Sequence, residues 1–149
     1  QEKDEMRFSR NDSATYLAAQ LAKTFSKALS KRAAALGFSP GQFPILLELW
    51  HEDALTQRQL LDRLDVEQAT LANTLARMER DGLIHRKPHP KDRRAQIIEL
   101  TETGRELETQ AISASRATDD AMLGTLLKFE RQLLLEYMSR TIEASRTET

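Results

Sequence analysis

Cysteine is absent from the 149 residues. That removes disulfides, thiolate metal sites and thiol redox switches from consideration, and it fits a cytoplasmic address. Aromatic residues make up 5% of the chain with a single tryptophan, and there are only five glycines and four prolines. So few rings and chain-breakers, beside 30% charged residues, mark a helix-rich protein with a large solvated surface. No apolar run approaches the ~18 residues that a membrane span requires, so no membrane partner is expected. The opening stretch QEKDEMRFSRND is polar and mixed in charge, unlike the core of a signal peptide. There is no phosphate-cradling glycine loop and no nucleophile–base signature, so neither enzyme activity nor a cofactor is expected. Three histidines do not make a metal site. His85 and His89 are separated by Pro88 on a predicted strand and loop, and His51 is remote, with no clustered carboxylates to complete a set.

A net charge of −1 hides an uneven distribution. Residues 56–98 carry nine Lys/Arg against six Asp/Glu, residues 1–55 carry seven of each, and residues 99–149 carry six against ten. Positive charge therefore gathers on a central module, where a polyanion would dock.

The periodicity predicts a mainly α chain with a small β wing. Ser13 caps a first helix reaching Leu36, with Leu17, Leu21, Phe25 and Leu29 on one face and Gly37 as its stop. Ser39 and Pro40 open a second helix to Trp50, with Phe43, Leu46, Leu47 and Trp50 turned inward. A very short strand at Ala54–Leu55 precedes Thr56-x-x-Gln59, a capping box for a third helix whose Leu60, Leu61 and Leu64 face the core. After an Asp65-Val66 turn, a fourth helix runs from Glu67 to Asp81 and stops at Gly82. Leu83–Lys87 and Arg94–Leu100 read as a hairpin with a proline-punctuated tip. Thr101 caps a long fifth helix through Leu123, Gly124 makes a bend, and a last helix carries Phe129, Leu133, Leu134, Tyr137, Met138 and Ile142. Helices with such large apolar faces at both ends of a small domain are expected to pair, most simply with a second copy of the chain.

Two short helices followed by a cationic hairpin form a device for gripping double-stranded DNA at two places. On the fourth helix Leu71, Leu75 and Met78 share one arc, and Ala69, Thr70, Asn73, Ala76, Arg77 and Arg80 share the opposite one. Asn73 has the paired donor and acceptor that match an adenine edge, Thr70 can bond a base or phosphate, and Ala69 fits against a thymine methyl. Arg77 and Arg80 lie where phosphates would pass. The hairpin HRKPHPKDRR holds five cations and one anion, and arginine suits a narrow, negative minor groove. Asp92, the lone anion, is assigned as a wing buttress that fixes the guanidinium of Arg94.

The runs Leu83-Ile84-His85-Arg86, Asp92-Arg93-Arg94 and Leu100-Thr101-Glu102-Thr103-Gly104 resemble segments of the MarR family of bacterial regulators, as does the linker Leu36–Phe43. The resemblance implies a winged helix-turn-helix at 38–101 flanked by dimerisation helices at 1–37 and 102–149, all within one domain of residues 1–149. It implies a homodimeric regulator of transcription, most simply a repressor, on a pseudo-palindromic operator, with its two recognition helices about 34 Å apart. It places Gln68, Ala69, Thr70 and Asn73 at the major groove and Arg94, beside Arg93, in the minor groove. It also implies a small aromatic or phenolic effector bound between the dimerisation helices and the DNA-binding lobe. Tyr16, Phe43, Leu47 and Trp50 are the candidate pocket residues, although residues at these spacings are more often plain core. The chain departs from the family pattern at Glu67, where a small cap is commoner. A winged-helix protein-interaction module without DNA binding is the competing reading.

Overall fold

The computed structural model describes residues 7–147, so residues 1–6 of the polar opening stretch and residues 148–149, at the outer ends of the expected dimerisation regions, lie outside the described residues. Among the described residues seven α-helices and three short strands follow in order: α1 (Ala14–Ala33), α2 (Phe43–His51), β1 (Leu55–Thr56), α3 (Gln57–Leu64), α4 (Gln68–Arg80), β2 (Ile84–Pro88), β3 (Gln96–Leu100), α5 (Glu102–Glu106), α6 (Glu108–Met122) and α7 (Lys128–Ser145). This is the mainly α fold with a small antiparallel wing that the pattern predicts.

Local chemistry sets most boundaries. The Ser13 hydroxyl accepts the Tyr16 N–H at 3.1 Å, and Thr56 and Gln59 form the reciprocal capping box at 3.1 and 2.8 Å. Helix α2 begins three residues later than the sequence indicates. Residues 39–42 form a tight turn in which the Ser39 N–H bonds the Gln42 side chain and Pro44, not Pro40, lies in the first helical turn. Its buried residues are Ile45, Leu46 and Leu49, with Phe43 and Trp50 packed at the core's edge, whereas Leu47 faces solvent. The short strand is Leu55–Thr56, because Ala54 takes a positive φ of 58° that no strand accommodates.

The sheet order is β1-β3-β2, with Leu55 opposite Ile98 and Ile84 opposite Leu100. Those residues join Leu46, Leu49, Leu60, Leu71, Leu75 and Met78 in one continuous core. The expected long fifth helix is interrupted at Leu107, giving α5 and α6. Thr101 explains how its start is fixed. The Thr101 hydroxyl accepts the Gly104 N–H at 3.0 Å and donates to the Gly82 carbonyl at 2.6 Å, tying α5 to the end of α4. Gly104 presses so close that a Cβ there would collide with the Leu83 carbonyl oxygen and touch Leu100 Cδ2 at 3.2 Å. Its own carbonyl accepts the Trp50 indole N–H at 2.9 Å.

Outside this core the helices are poorly covered. Helix α1 lies beside α6, where Arg32 donates to the Thr118 hydroxyl at 3.5 Å. Ala33 is its one buried residue, and α7 has none among the described residues. Leu17, Phe129, Tyr137, Met138 and Ile142 are exposed. Between α1 and α7 lies an apolar groove of about 470 Å³ lined by Leu21, Phe25, Tyr137, Met138 and Ile142.

Candidate nucleic-acid interface

Asp65 closes α3 in the left-handed region (φ 51°), a conformation that short polar side chains tolerate. Val66 and an extended Glu67 then lead into α4. Leu71, Leu75 and Met78 are buried, so the helix cannot roll, and Gln68, Ala69, Thr70, Asn73, Ala76, Arg77 and Arg80 all face solvent. Glu67 is exposed and its side chain makes no capping bond, so no side chain closes the first turn of α4. The end of the helix is clamped to the wing. Arg86 donates its backbone N–H and its guanidinium to Glu79 at 3.2 and 3.1 Å. The hydrogen bond from the Arg86 side chain holds the Glu79 carboxyl below its ordinary range.

At the wing tip, Asp92 Oδ1 accepts the backbone N–H of Arg94 at 3.0 Å. The aspartate therefore meets Arg94 at the main chain and not at the guanidinium, as the sequence reading had it. A carboxylate two residues before a free N–H closes a local turn more readily than it chases a long side chain. Arg94 and Ala95 consequently belong to the turn, and β3 starts at Gln96.

Charge pairing sorts the nine cations of residues 56–98 into two groups. Arg58 pairs with Asp62, Arg63 with Glu48 and Glu52, Arg80 with Asp81, Arg86 with Glu79, and Lys87 with Glu99. Among the described residues, Arg77, Lys91, Arg93 and Arg94 make no ion pair. These four sit on the exposed face of α4 and on the wing tip. Within residues 56–98, uncompensated positive charge thus falls on the two elements that a duplex would meet.

The two elements flank a cleft of about 490 Å³ lined by Thr56, Gln57, Arg58, Gln68, Asp92, Arg93 and Arg94, among others. Of the residues singled out by sequence, Gln68, Asp92, Arg93 and Arg94 come together here, and Ala69, Thr70, Asn73 and Arg77 continue along α4. Thr56, Gln57 and Arg58 were missed. Their one signal was the capping box, which places them at a helix start facing the same cleft.

Comparison with known proteins agrees with this geometry. A model of the MarR family matches residues 38–95. The organic hydroperoxide resistance transcriptional regulator of Bacillus subtilis is 32% identical over 113 residues, which is 76% of this chain and 69% of that protein. The chain belongs to the MarR family. A probable transcriptional regulator from Pseudomonas aeruginosa has a similar fold, with TM-score 0.82, 23% identity and coverage of 89% of this chain and 99% of that one. So does AbfR in a structure bound to DNA, with TM-score 0.73, 24% identity and coverage of 97% and 98%. This MarR-family chain is a winged-helix, DNA-binding transcriptional regulator and not an enzyme. No helix among its described residues is long and apolar enough to cross a membrane.

Of the four residues predicted for an effector pocket, only Phe43 and Trp50 come together in this MarR fold. Phe43 lines a cleft of about 340 Å³ with Phe25, Leu29, Pro40, Ser115, Thr118 and Asp119, but Tyr16, Leu47 and Trp50 do not reach it. Trp50 packs edge-on against Phe43, with ring centroids 6.3 Å apart, but outside the cleft, where its half-buried indole N–H finds the Gly104 carbonyl. Tyr16 and Leu47 lie on exposed helix faces. The Asp119 carboxylate, unforeseen, stands in the cleft without a hydrogen bond or ion pair among the described residues, and burial pushes its pKa up.

Proposed function

We propose that two copies of this chain pair through α1, α6 and α7 and bind a pseudo-palindromic operator as a repressor. Each copy sets Gln68, Ala69, Thr70 and Asn73 into the major groove and Arg94, with Arg93, into the adjacent minor groove. Arg77 and Lys91 meet phosphates, and Asp92 fixes the wing. The observation that carries this reading is that the four cations of residues 56–98 left without an ion pair all lie on α4 and the wing tip, beside the exposed polar face of α4, while Leu17, Tyr137, Met138 and Ile142 are exposed on α1 and α7. A protein-interaction module has no use for four exposed, uncompensated cations beside a polar helix face.

A second copy accounts for the apolar surface. Leu17, Tyr137, Met138 and Ile142 are too many large exposed side chains, too close together, for a monomer's ordinary scatter. The cleft at Phe25 and Phe43 supports an aromatic effector there, placed where the dimerisation helices meet the DNA-binding lobe. Its lining includes Gly41 and Phe43, and between them Gln42 is buried and donates to Asp81, at the end of the recognition helix, at 3.1 Å. An effector that binds one position of this segment more tightly than another shifts the reading heads by that difference and no more.

The test is sedimentation with and without a duplex recovered from a genome-wide binding profile. The wild type is expected to run as a dimer and to bind one duplex per two chains. The double variant Met138→Glu/Ile142→Glu, which puts charge into the α1–α7 groove, is expected to be monomeric. It should bind that duplex at least about tenfold more weakly, because the second head no longer adds its effective concentration. A variant that stays dimeric at unchanged affinity contradicts the interface.

A further inference from the structure

The wing tip is held by an unusual side chain. Between His89 and Ala95 the main-chain donors are almost all engaged within the tip itself. The His89 N–H bonds the Ala95 carbonyl at 3.0 Å, and the Ala95 N–H bonds the Asp92 carbonyl at 3.1 Å. The imidazole of His89, half-buried, accepts two of the remaining donors on one atom. Its Nδ1 takes the N–H of Lys91 at 3.0 Å and the N–H of Asp92 at 3.2 Å. Asp92, placed in that way, receives the Arg94 N–H on its own carboxylate. Of the tip N–H groups, Arg93's alone has no partner among the described residues.

These bonds form a chain of dependence. Pro88 and Pro90 flank the histidine and contribute no N–H of their own. The direction in which the chain leaves the tip therefore rests on the few bonds that do form, and two of them end on one ring nitrogen. An Nδ1 that accepts hydrogen bonds carries a lone pair, so the ring proton resides on Nε2. In that role the imidazole does what the side-chain oxygen of asparagine or aspartate does in an ordinary Asx turn. Both Nδ1 of histidine and Oδ1 of asparagine are attached directly to Cγ, so they reach the same place.

We propose that His89 is a positioning residue for DNA binding: through Nδ1 it sets the turn that seats Asp92 and so aims the Arg93 and Arg94 side chains. It acts through the wing's shape and not by touching DNA. The proposal rests on the DNA-binding reading, and its test separates the two. If the wild type itself ignores every duplex, the reading of the whole interface fails. If the wild type binds, the variants decide the histidine's role alone.

The experiment measures duplex affinity by fluorescence anisotropy, and its dependence on salt, for the wild type, His89→Leu and His89→Asn. His89→Leu removes the acceptor and is expected to weaken binding about three- to tenfold, the scale of lost turn hydrogen bonds. His89→Asn restores an acceptor at the same point and is expected to stay within about twofold of the wild type. Amide hydrogen exchange gives a readout without DNA: the Lys91 and Asp92 N–H groups should exchange faster in the leucine variant than in the wild type or the asparagine variant. An unweakened leucine variant overturns the proposal. So does equal weakening of both variants. In that case a salt slope shallower by about one unit per chain makes His89 a phosphate-contacting cation, and an unchanged slope makes it a packing residue.

Discussion

Replacing Arg93 and Arg94 together by alanine is expected to lower operator affinity by at least about 30-fold, since a groove-contacting arginine contributes about 1–3 kcal/mol. The size follows from their surroundings. A cation already bonded to a carboxylate must give up that partner before it can meet a phosphate, and a free one gives up only water. Arg93 and Arg94 are free among the described residues and project from a tip whose main chain is bonded to itself. Lys87, only a few residues away on β2, has its ammonium 2.7 Å from Glu99. Lys87→Ala should therefore cost less than about threefold, in keeping with the small energies of exposed ion pairs. The measurement is an anisotropy titration of both variants on one operator duplex at one salt concentration. Equal losses from both would mean that carboxylate pairing does not sort the cations.

Gly104→Ala is expected to destabilise the fold by about 1–3 kcal/mol, the usual cost of forcing atoms into a filled site. For a chain of this size that lowers the thermal midpoint by roughly 3–10 °C. One methyl suffices because its nearest neighbours are the Leu83 carbonyl oxygen and Leu100, and a backbone carbonyl at the start of the wing cannot swing aside as a flexible side chain can. Relief requires α5 to lift from the sheet. That movement strains the Thr101 contacts to Gly104 and Gly82 and the Trp50 bond to the Gly104 carbonyl. Trp50 is the single tryptophan of the sequence, so its emission in the folded variant reports the displacement directly. Melting followed by circular dichroism gives the midpoint. A midpoint equal to that of the wild type, with unaltered emission, would show that the helix has slack at this position.

What the sequence made legible were features that a residue and its close neighbours decide. The caps at Ser13, Thr56 and Thr101, the buried arc of Leu71, Leu75 and Met78, and the hairpin all appear in the structure with boundaries shifted by a residue or two. The start of α2 was missed because Gln42 uses its side-chain oxygen to hold the Ser39 N–H, a role that composition does not announce. Leu47 was placed inside because Phe43, Leu46, Leu47 and Trp50 follow the three-and-four spacing of one helix face, but the buried face is turned toward Ile45, Leu46 and Leu49. Charge pairing was invisible for a different reason: Arg63 finds Glu52 and Glu48 across two helices, and such partners are fixed only once the helices pack. The net excess of positive charge in residues 56–98 was readable, but which cations remained uncompensated was not. Asp119 escaped notice because an aspartate on a helix is ordinarily solvated, and only the approach of α1 and the α2 entry makes a cleft around it.

The central claim is that two chains meet one duplex through their unpaired cations, and the salt dependence of wild-type binding tests it most directly. Four such cations in each DNA-binding lobe, doubled in the dimer, give a slope of log affinity against log salt approaching about −7 if all meet phosphate, and about −4 if only Arg77 and Lys91 do. A slope near zero would contradict a duplex-binding function. Binding of one chain per duplex, with a slope of about −2, would contradict the paired grip.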